Sequence, residues 1–107
     1  MEITKSITGL GVSKGTATGT ARYATDPEFK EGDILISFMT VPDNVPIMRI
    51  ASAIATEIGS ITCHASIVAR ELGKPCIVRV GTELRELANK QVTVDVQGIN
   101  EAKISWQ

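Results

Sequence analysis

The sequence predicts an α/β domain with a mixed sheet, in which strands outnumber helices. Three observations favour this fold class. Residues 16–23 alternate as a half-buried strand does, residues 34–36 form an unbroken apolar run, and residues 65–72 carry apolar side chains at helical spacing. Because these patterns interleave along a chain of 107 residues, we expect residues 1–107 to form one domain.

The N-terminal part is rich in glycine. Glycine stands at positions 9, 11, 15 and 19, but neither GxGxxG nor GxxxxGK(S/T) is present and no helical pattern follows. We therefore expect these glycines to serve turns and close contacts within a sheet. The next strand would present one face made of Thr16, Thr18, Thr20 and Arg22, and another made of Ala17, Gly19, Ala21 and Tyr23.

The middle of the chain reads as strand, short helix and strand. The run at residues 34–36 does not alternate, so we expect a central strand that is buried on both faces. Residues 42–46 form a turn into a short helix, with Asp43 or Asn44 as its cap and Pro46 in its first turn. The residues expected to pack this helix down are Val45, Ile47, Met48 and Ile50. Residues 51–58 follow as a second central strand.

The C-terminal part predicts three further strands. Residues 76–80 return to the sheet, and residues 82–89 form a polar turn or short helix. Residues 92–96 alternate valine with polar residues, as a half-buried strand does. After a turn, residues 102–106 close the fold, and we expect Trp106 to anchor the terminus.

The chain's only histidine, His64, begins the stretch of greatest chemical interest. Four residues after it form one apolar helical stripe: Ala65, Val68, Ala69 and Leu72. The polar residues that we expect to face elsewhere are Ser66, Arg70 and Glu71. Gly73 and Pro75 mark the end of the helix, so His64 lies in its first turn.

The first turn of a helix suits an anion, because its backbone N–H groups are unpaired and the helix dipole is positive there. A neutral imidazole at that position can attack a phosphoryl group, and the N–H groups can stabilise the product. Thr62 or Ser60 would cap the helix or donate to the phosphate. The alternative is a surface histidine with Thr62 as an ordinary N-cap. Spacing alone does not separate the two interpretations.

Composition excludes several classes of function. Eleven basic and twelve acidic residues give a net charge of −1, which removes the electrostatic case for binding nucleic acid. No apolar run approaches the roughly 20 residues of a membrane span, and no secretory signal is evident, so we expect a cytoplasmic protein. Cys63 and Cys76 are expected to be reduced thiols. With His64 they lack a fourth ligand for a closed zinc site, so no metal is expected.

Three motifs resemble one family. Residues 62–75, TCHASIVARELGKP, are similar to the phosphohistidine signature T-S/C-H-A-A/S-I-V/I-A/S-R-E-L-G-x-P of the phosphoenolpyruvate-utilising enzymes. Residues 39–48 resemble the stretch M-T-x-P-D-x-V-P-x-M of the synthase branch, and residues 11–19 resemble the opening G-x-S/P-x-G-x-A-x-G. The chain departs from the pattern at Ser60 and Ile61, where the family usually has Gly and Arg or Met. It departs again at residues 78–81, VRVG, where the family tends to have V-V-G.

This resemblance to the mobile domain of the synthase and dikinase branches implies a swivelling β/β/α phosphohistidine domain, with the active His64 at a helix N-terminus. His64 would be the nucleophile, and Thr62 a phosphate contact or a regulatory phosphorylation site. The implied substrate-binding residues are Gly59, Ser60, Cys63, Ala65 and Arg70. The resemblance does not identify the final acceptor: pyruvate, glycolate-like acids, an antibiotic hydroxyl or a glucan all serve relatives.

The resemblance also implies a relay that is catalytically incomplete by itself. No cofactor is expected on this domain. Mg²⁺ with ATP or phosphoenolpyruvate would lie on two partner domains, an ATP-grasp nucleotide-binding domain and a phosphoenolpyruvate/pyruvate-binding barrel. Two alternatives remain open: a regulatory or interaction module that keeps the fold without carrying phosphate, and a structural cap in a complex.

Overall fold

The computed structural model describes residues 4–107 and contains strands, two α-helices and two 3₁₀ helices. The strands are β1 (Lys5–Thr8), β2 (Leu10–Ser13), β3 (Gly15–Tyr23), β4 (Ile34–Ser37), β5 (Ala53–Thr56), β6 (Cys76–Val78), β7 (Gln91–Gly98) and β8 (Glu101–Trp106). The helices are α1 (Val45–Ile50) and α2 (His64–Leu72), and the 3₁₀ helices span Pro42–Asn44 and Thr82–Leu87. No helix within residues 4–107 is long and apolar enough to cross a bilayer.

The strands form one mixed sheet in the order β1-β8-β7-β3-β4-β5-β6-β2. Strands β3, β4, β5 and β6 run parallel to their neighbours in that series, whereas the remaining pairs are antiparallel. Strand β3 joins the two halves: residues 15–20 pair with β7, and residues 21–23 pair with β4. The predicted α/β class with a mixed sheet is confirmed.

The sheet curls so that β2, at one edge, reaches the hairpin of β7 and β8. The Gly9 amide donates to the Ala102 carbonyl at 3.4 Å, and the Gly11 amide donates to the Ile99 carbonyl at 3.0 Å. A Cβ on Gly11 would overlap the Gly98 carbonyl oxygen. The glycines therefore permit close contacts within the sheet, as predicted, although β1 and β2 were not predicted individually as strands.

The central strands separate two apolar cores. Ile34 and Ile36 face the core inside the curl, where they meet the buried valines of β7. Leu35 faces the opposite core, beneath the two helices. All three side chains are fully buried, which explains why the run does not alternate and confirms the predicted central strand. The second predicted central strand is β5, all four of whose residues are buried.

The C-terminal predictions are also confirmed. The alternating valines at 92, 94 and 96 of β7 are buried, the polar turn forms the 3₁₀ helix Thr82–Leu87, and β6 returns to the sheet. Trp106 is half-buried against the inner core at the end of β8. The first and last strands, β1 and β8, thus both contact the inner core.

The predicted helix containing His64 is confirmed as α2, and it ends at Gly73 in a left-handed conformation (φ 70°). One residue of the helix, Ser66, does not face away from the core as predicted. Ser66 is fully buried, because its hydroxyl donates to the Ser60 carbonyl at 2.6 Å and so remains satisfied away from water. A polar residue can occupy the buried side of a helix when such an acceptor is supplied.

Helix α1 forms close to the predicted position, with Pro46 in its first turn. Met48 is fully buried, and Val45 and Ile47 are half-buried, but Ile50 is 36% exposed and its predicted packing is wrong. Asn44 stands at the N-cap position, yet its side-chain oxygen accepts from the Val41 amide at 2.8 Å. The cap therefore stabilises the preceding turn rather than the first turn of α1.

Candidate functional site

His64 is the first residue of α2 and lies at the carboxyl end of the parallel strands. Its Nδ1 is 2.8 Å from the Thr40 hydroxyl, and this hydrogen bond is partly buried. Thr40 follows β4, and His64 follows β5, so two adjacent parallel strands deliver the pair to one edge of the sheet. Thr40 is only 4% exposed, whereas the imidazole is half-buried. The ring is therefore oriented from one side and reachable from another.

A cavity of about 180 Å³ adjoins the imidazole. Its lining residues are Met39, Thr40, Thr56, Ile58, Gly59, Cys63, His64 and Ala65. Four predicted site residues (Gly59, Cys63, His64 and Ala65) thus share one cavity with Thr40, which was not predicted as a site residue. A larger depression of about 510 Å³ on the sheet at β7 and β8 contains neither histidine nor cysteine.

The loop before α2 depends on glycine at position 59. Gly59 has φ 148°, a backbone region that side chains strongly disfavour. A Cβ there would lie 2.9 Å from the Val78 Cβ and 3.1 Å from the Cys63 sulfur. The loop therefore packs directly on the end of β6, with no space for a side chain.

The N-cap of α2 is Cys63, so the prediction that Thr62 caps the helix is wrong. The helix begins at His64, and Cys63 has the extended conformation of a cap residue. Its sulfur lies 3.3 Å from the Ser66 hydroxyl. The Thr62 hydroxyl is exposed and lies 3.5 Å from that of Ser60, with the Thr62 amide 3.4 Å from the same Ser60 oxygen.

The two thiols differ in their electrostatic surroundings. Burial acts to raise the pKa of Cys63, but hydrogen bonds with the Ser66 hydroxyl and with neighbouring backbone groups outweigh it and lower the pKa. Burial raises the pKa of Cys76 to about 12. Both are free thiols, as predicted. Within residues 4–107, no group of three or more His, Cys, Asp or Glu side chains is arranged to hold a metal.

Two arginines reach the loop before α2. Arg70 donates from Nε to the Val12 carbonyl at 2.9 Å and from Nη2 to the Ile61 carbonyl. Arg79 donates from Nε to the Gly59 carbonyl at 3.1 Å. Arg70 therefore contacts the site through the backbone of the loop. In the sequence, residue 79 is only a departure from the family motif and is not predicted as a site residue.

The buried carboxylate of Glu57 forms an ion pair at the same end of the sheet. Glu57 is 5% exposed, and both of its oxygens accept from Arg85, at 2.9 and 3.0 Å. This hydrogen bonding and the charge of Glu57 raise the pKa of Arg85. Because Arg85 lies in the 3₁₀ helix Thr82–Leu87, the pair ties that helix to the end of β5.

Comparison with known proteins identifies the family. The family described as PEP-utilising enzyme, mobile domain, matches residues 29–98. A probable phosphoenolpyruvate synthase of Methanothermobacter thermautotrophicus is 44% identical over 96 residues, which covers 86% of this chain and 14% of that protein. The phosphoenolpyruvate synthase of Pyrococcus furiosus is 46% identical over 92 residues, covering 81% of this chain and 11% of that enzyme.

The solution structure of a UPF0107 protein has a similar fold, with a TM-score of 0.65 over 95% of this chain and 97% of that one. At 14% identity this likeness concerns the fold alone. The two synthases are far longer, and this chain spans only a small fraction of their length. The family match and the sequence identities establish that this chain belongs to the mobile-domain family of the PEP-utilising enzymes.

Proposed function

We propose that this chain is a phosphoryl carrier, which accepts a phosphoryl group on His64 and passes it between two partner domains. The observation that carries this proposal is the 2.8 Å hydrogen bond between Nδ1 and Thr40. It engages one ring nitrogen, while Nε2 has no hydrogen-bond partner within residues 4–107. A nucleophile needs such a free lone pair on a half-exposed ring.

The hydrogen bond accommodates the reactive tautomer, because a hydroxyl can accept as well as donate. For Nε2 to attack phosphorus, the proton of the neutral ring must be on Nδ1, which then donates to the Thr40 oxygen. Nε2 forms a bond to phosphorus while the donor's phosphorus–oxygen bond breaks, and the bonding pair leaves on the donor oxygen. The ring gains a positive charge and Nδ1 keeps its proton. Transfer to an acceptor oxygen reverses these changes.

The start of α2 supports an anionic product. The helix has nine residues, and its first-turn N–H groups and dipole favour negative charge beside His64. We propose that Gly59, Ser60, Cys63 and Ala65 surround the phosphoryl group, since three of them line the cavity and Ser60 belongs to the adjoining loop. Arg70 would act through the loop carbonyl that it holds.

An apolar rim surrounds this site. Among the described residues, the exposed large apolar side chains that flank Thr40 and His64 in the loops after β4 and β5 and on α2 are Phe38, Met39, Val41, Ile58, Ile61 and Ile67. Met39 and Ile58 also line the cavity. Such a rim suits transient docking of another domain and exclusion of water from a reactive phosphorus–nitrogen bond.

We infer that the docking partners are an ATP-grasp nucleotide-binding domain and a phosphoenolpyruvate/pyruvate-binding barrel. The synthase relatives are much longer than this chain, which supports placing the other half-reactions on further domains. Mg²⁺ and ATP or phosphoenolpyruvate would bind there, with no cofactor on residues 1–107, which act as one swivelling β/β/α unit. The two free thiols suit the reducing cytoplasm.

Thr62 is our proposed point of regulation. Its hydroxyl is exposed and stands two residues before His64. A phosphate on this residue would add about two negative charges beside the phosphohistidine and repel an anionic donor. Phosphopeptide mapping after incubation with a regulatory kinase should find phosphate on Thr62, and a Thr62→Val variant should escape the inhibition.

The carrier role is tested by labelling. The chain is incubated with radiolabelled phosphoenolpyruvate and a full-length synthase relative whose own mobile-domain histidine has been replaced by alanine. We expect an acid-labile, base-stable label on the chain that disappears in His64→Ala. A label that survives in His64→Ala would reject the assigned site. A folded wild-type chain that takes no label would favour the regulatory or interaction module.

A further inference from the structure

Arg79 has an unusual backbone conformation. Its φ is 60°, in the left-handed region, and the only other non-glycine residue within residues 4–107 with positive φ is Asn89, at 69°. Asparagine tolerates this region because its short side chain can hydrogen-bond locally, whereas arginine has no such compensation. The surroundings of Arg79 must therefore hold it in place.

The segment around Arg79 is held against the end of β5. The Val80 amide donates to the Thr56 carbonyl at 3.1 Å, and the Gly81 amide donates to the Glu57 carbonyl at 3.0 Å. These bonds direct the strained residue towards the loop that enters α2. Its Nε reaches the Gly59 carbonyl at 3.1 Å, and Gly59 lines the cavity beside the imidazole.

Arg79 is one of three side chains that hold consecutive carbonyl groups of this loop. Arg79 holds Gly59, Ser66 holds Ser60 at 2.6 Å, and Arg70 holds Ile61. Ser66 and Arg70 belong to α2 itself. Arg70 also bonds the Val12 carbonyl of β2, whereas Arg79 follows β6, so Arg79 is the one of the three that lies outside α2 and ties the loop to the parallel part of the sheet.

The charge of Arg79 is also uncompensated. It forms no ion pair within residues 4–107, whereas Glu57, two residues before Gly59, is neutralised by Arg85. The guanidinium therefore places a net positive charge beside the loop that precedes His64. Transfer of a phosphoryl group brings negative charge to this region, which such a cation stabilises.

We propose that Arg79 is a positioning residue for phosphoryl transfer at His64, an inference that rests on the proposed carrier function. Arg79 fixes the Gly59 carbonyl and with it the N-terminus of α2 that carries the imidazole. In this left-handed conformation the guanidinium reaches the loop. Replacing the side chain should accordingly lower the transfer rate without lowering the stability.

The experiment measures the labelling rate of the chain at several donor concentrations, together with the midpoint of thermal unfolding. In Arg79→Asn the backbone strain is relieved, but the side chain is too short to reach Gly59. We expect the maximal rate to fall about tenfold, with the apparent KM unchanged and the midpoint unchanged or higher. Arg79→Lys, which keeps the charge but not the planar donor, should recover part of the rate.

Asn89→Gly is the matched control, because it relieves the other left-handed residue and should leave the rate unchanged. Three results for Arg79→Asn would overturn the positioning role while leaving the carrier function intact. They are a wild-type labelling rate, a change in apparent KM alone, and a slower rate that is accompanied by a lower midpoint of thermal unfolding. A folded wild-type chain that takes no label at all would overturn the carrier function and the positioning role together.

Discussion

Substitution of Gly59 by alanine tests whether the loop before α2 is as closely packed as the structure indicates. The new Cβ would lie 2.9 Å from the Val78 Cβ and 3.1 Å from the Cys63 sulfur, both nearer than ordinary contact. Val78 is fully buried in β6, so it cannot move aside without disturbing the sheet. The φ of 148° adds backbone strain for any residue other than glycine.

The magnitude follows from these two terms. Backbone strain contributes about 1–3 kcal/mol, and overpacking contributes about 1–3 kcal/mol, so Gly59→Ala should lower the free energy of unfolding by about 2–6 kcal/mol. Gly73→Ala is the matched control. Gly73 has φ 70°, but its Cβ would meet nothing within 4 Å, so only the strain of about 1–2 kcal/mol applies.

Urea denaturation of both variants measures the difference directly. We expect Gly59→Ala to be less stable than Gly73→Ala by about 2 kcal/mol. Gly59→Ala should also label more slowly where it remains folded, because Gly59 lines the cavity beside the imidazole. Equal losses of stability in the two variants would show that the loop has room for a side chain and would refute the packing described here.

Three further predictions concern the imidazole partner and the thiols. Thr40→Val removes the 2.8 Å hydrogen bond and should slow labelling about threefold to tenfold, whereas Thr40→Ser keeps the hydroxyl and should retain most of the rate. Iodoacetamide should alkylate native Cys63 with a half-maximal pH below 9.0, because its pKa is lowered, and should spare Cys76 until the chain unfolds. Because the pKa of Cys76 is raised to about 12 in the folded state, its protonated form stabilises the fold below pH 9.0 and this contribution is lost as pH rises towards 12. Between about pH 8 and about pH 10, the free energy of unfolding measured by urea denaturation should fall by about 1.4 kcal/mol more for the wild type than for Cys76→Ala. Equal falls in the two proteins would contradict the raised pKa of Cys76.

Features set by neighbouring residues in the chain were predictable from the sequence. The helical stripe, the terminating Gly73 and the unbroken run at residues 34–36 each depend on spacing within one element. The cap of α2 was misplaced by one residue because Thr62 and Cys63 both precede the helical pattern, and threonine is the commoner cap. Ser66 was misplaced because its acceptor, the Ser60 carbonyl, is created only by the folded loop.

Contacts between residues that are far apart in the chain could not be predicted from local sequence patterns. Thr40 lies 24 residues before His64, and only the parallel pairing of β4 and β5 brings them to 2.8 Å. Its presence in a family-like motif was the one available signal. The contact of Arg79 with Gly59 likewise depends on a left-handed backbone that nothing in the local composition indicates.

The most direct test is to locate the phosphorus atom on the imidazole ring. An isotope-labelled chain, phosphorylated by phosphoenolpyruvate and the histidine-free relative, is examined by NMR for phosphorus–nitrogen coupling. We expect coupling to Nε2 of His64, with Nδ1 still hydrogen-bonded to Thr40. Phosphorus on Nδ1, or on any residue other than His64, would contradict the proposed role of Nε2 as the nucleophile.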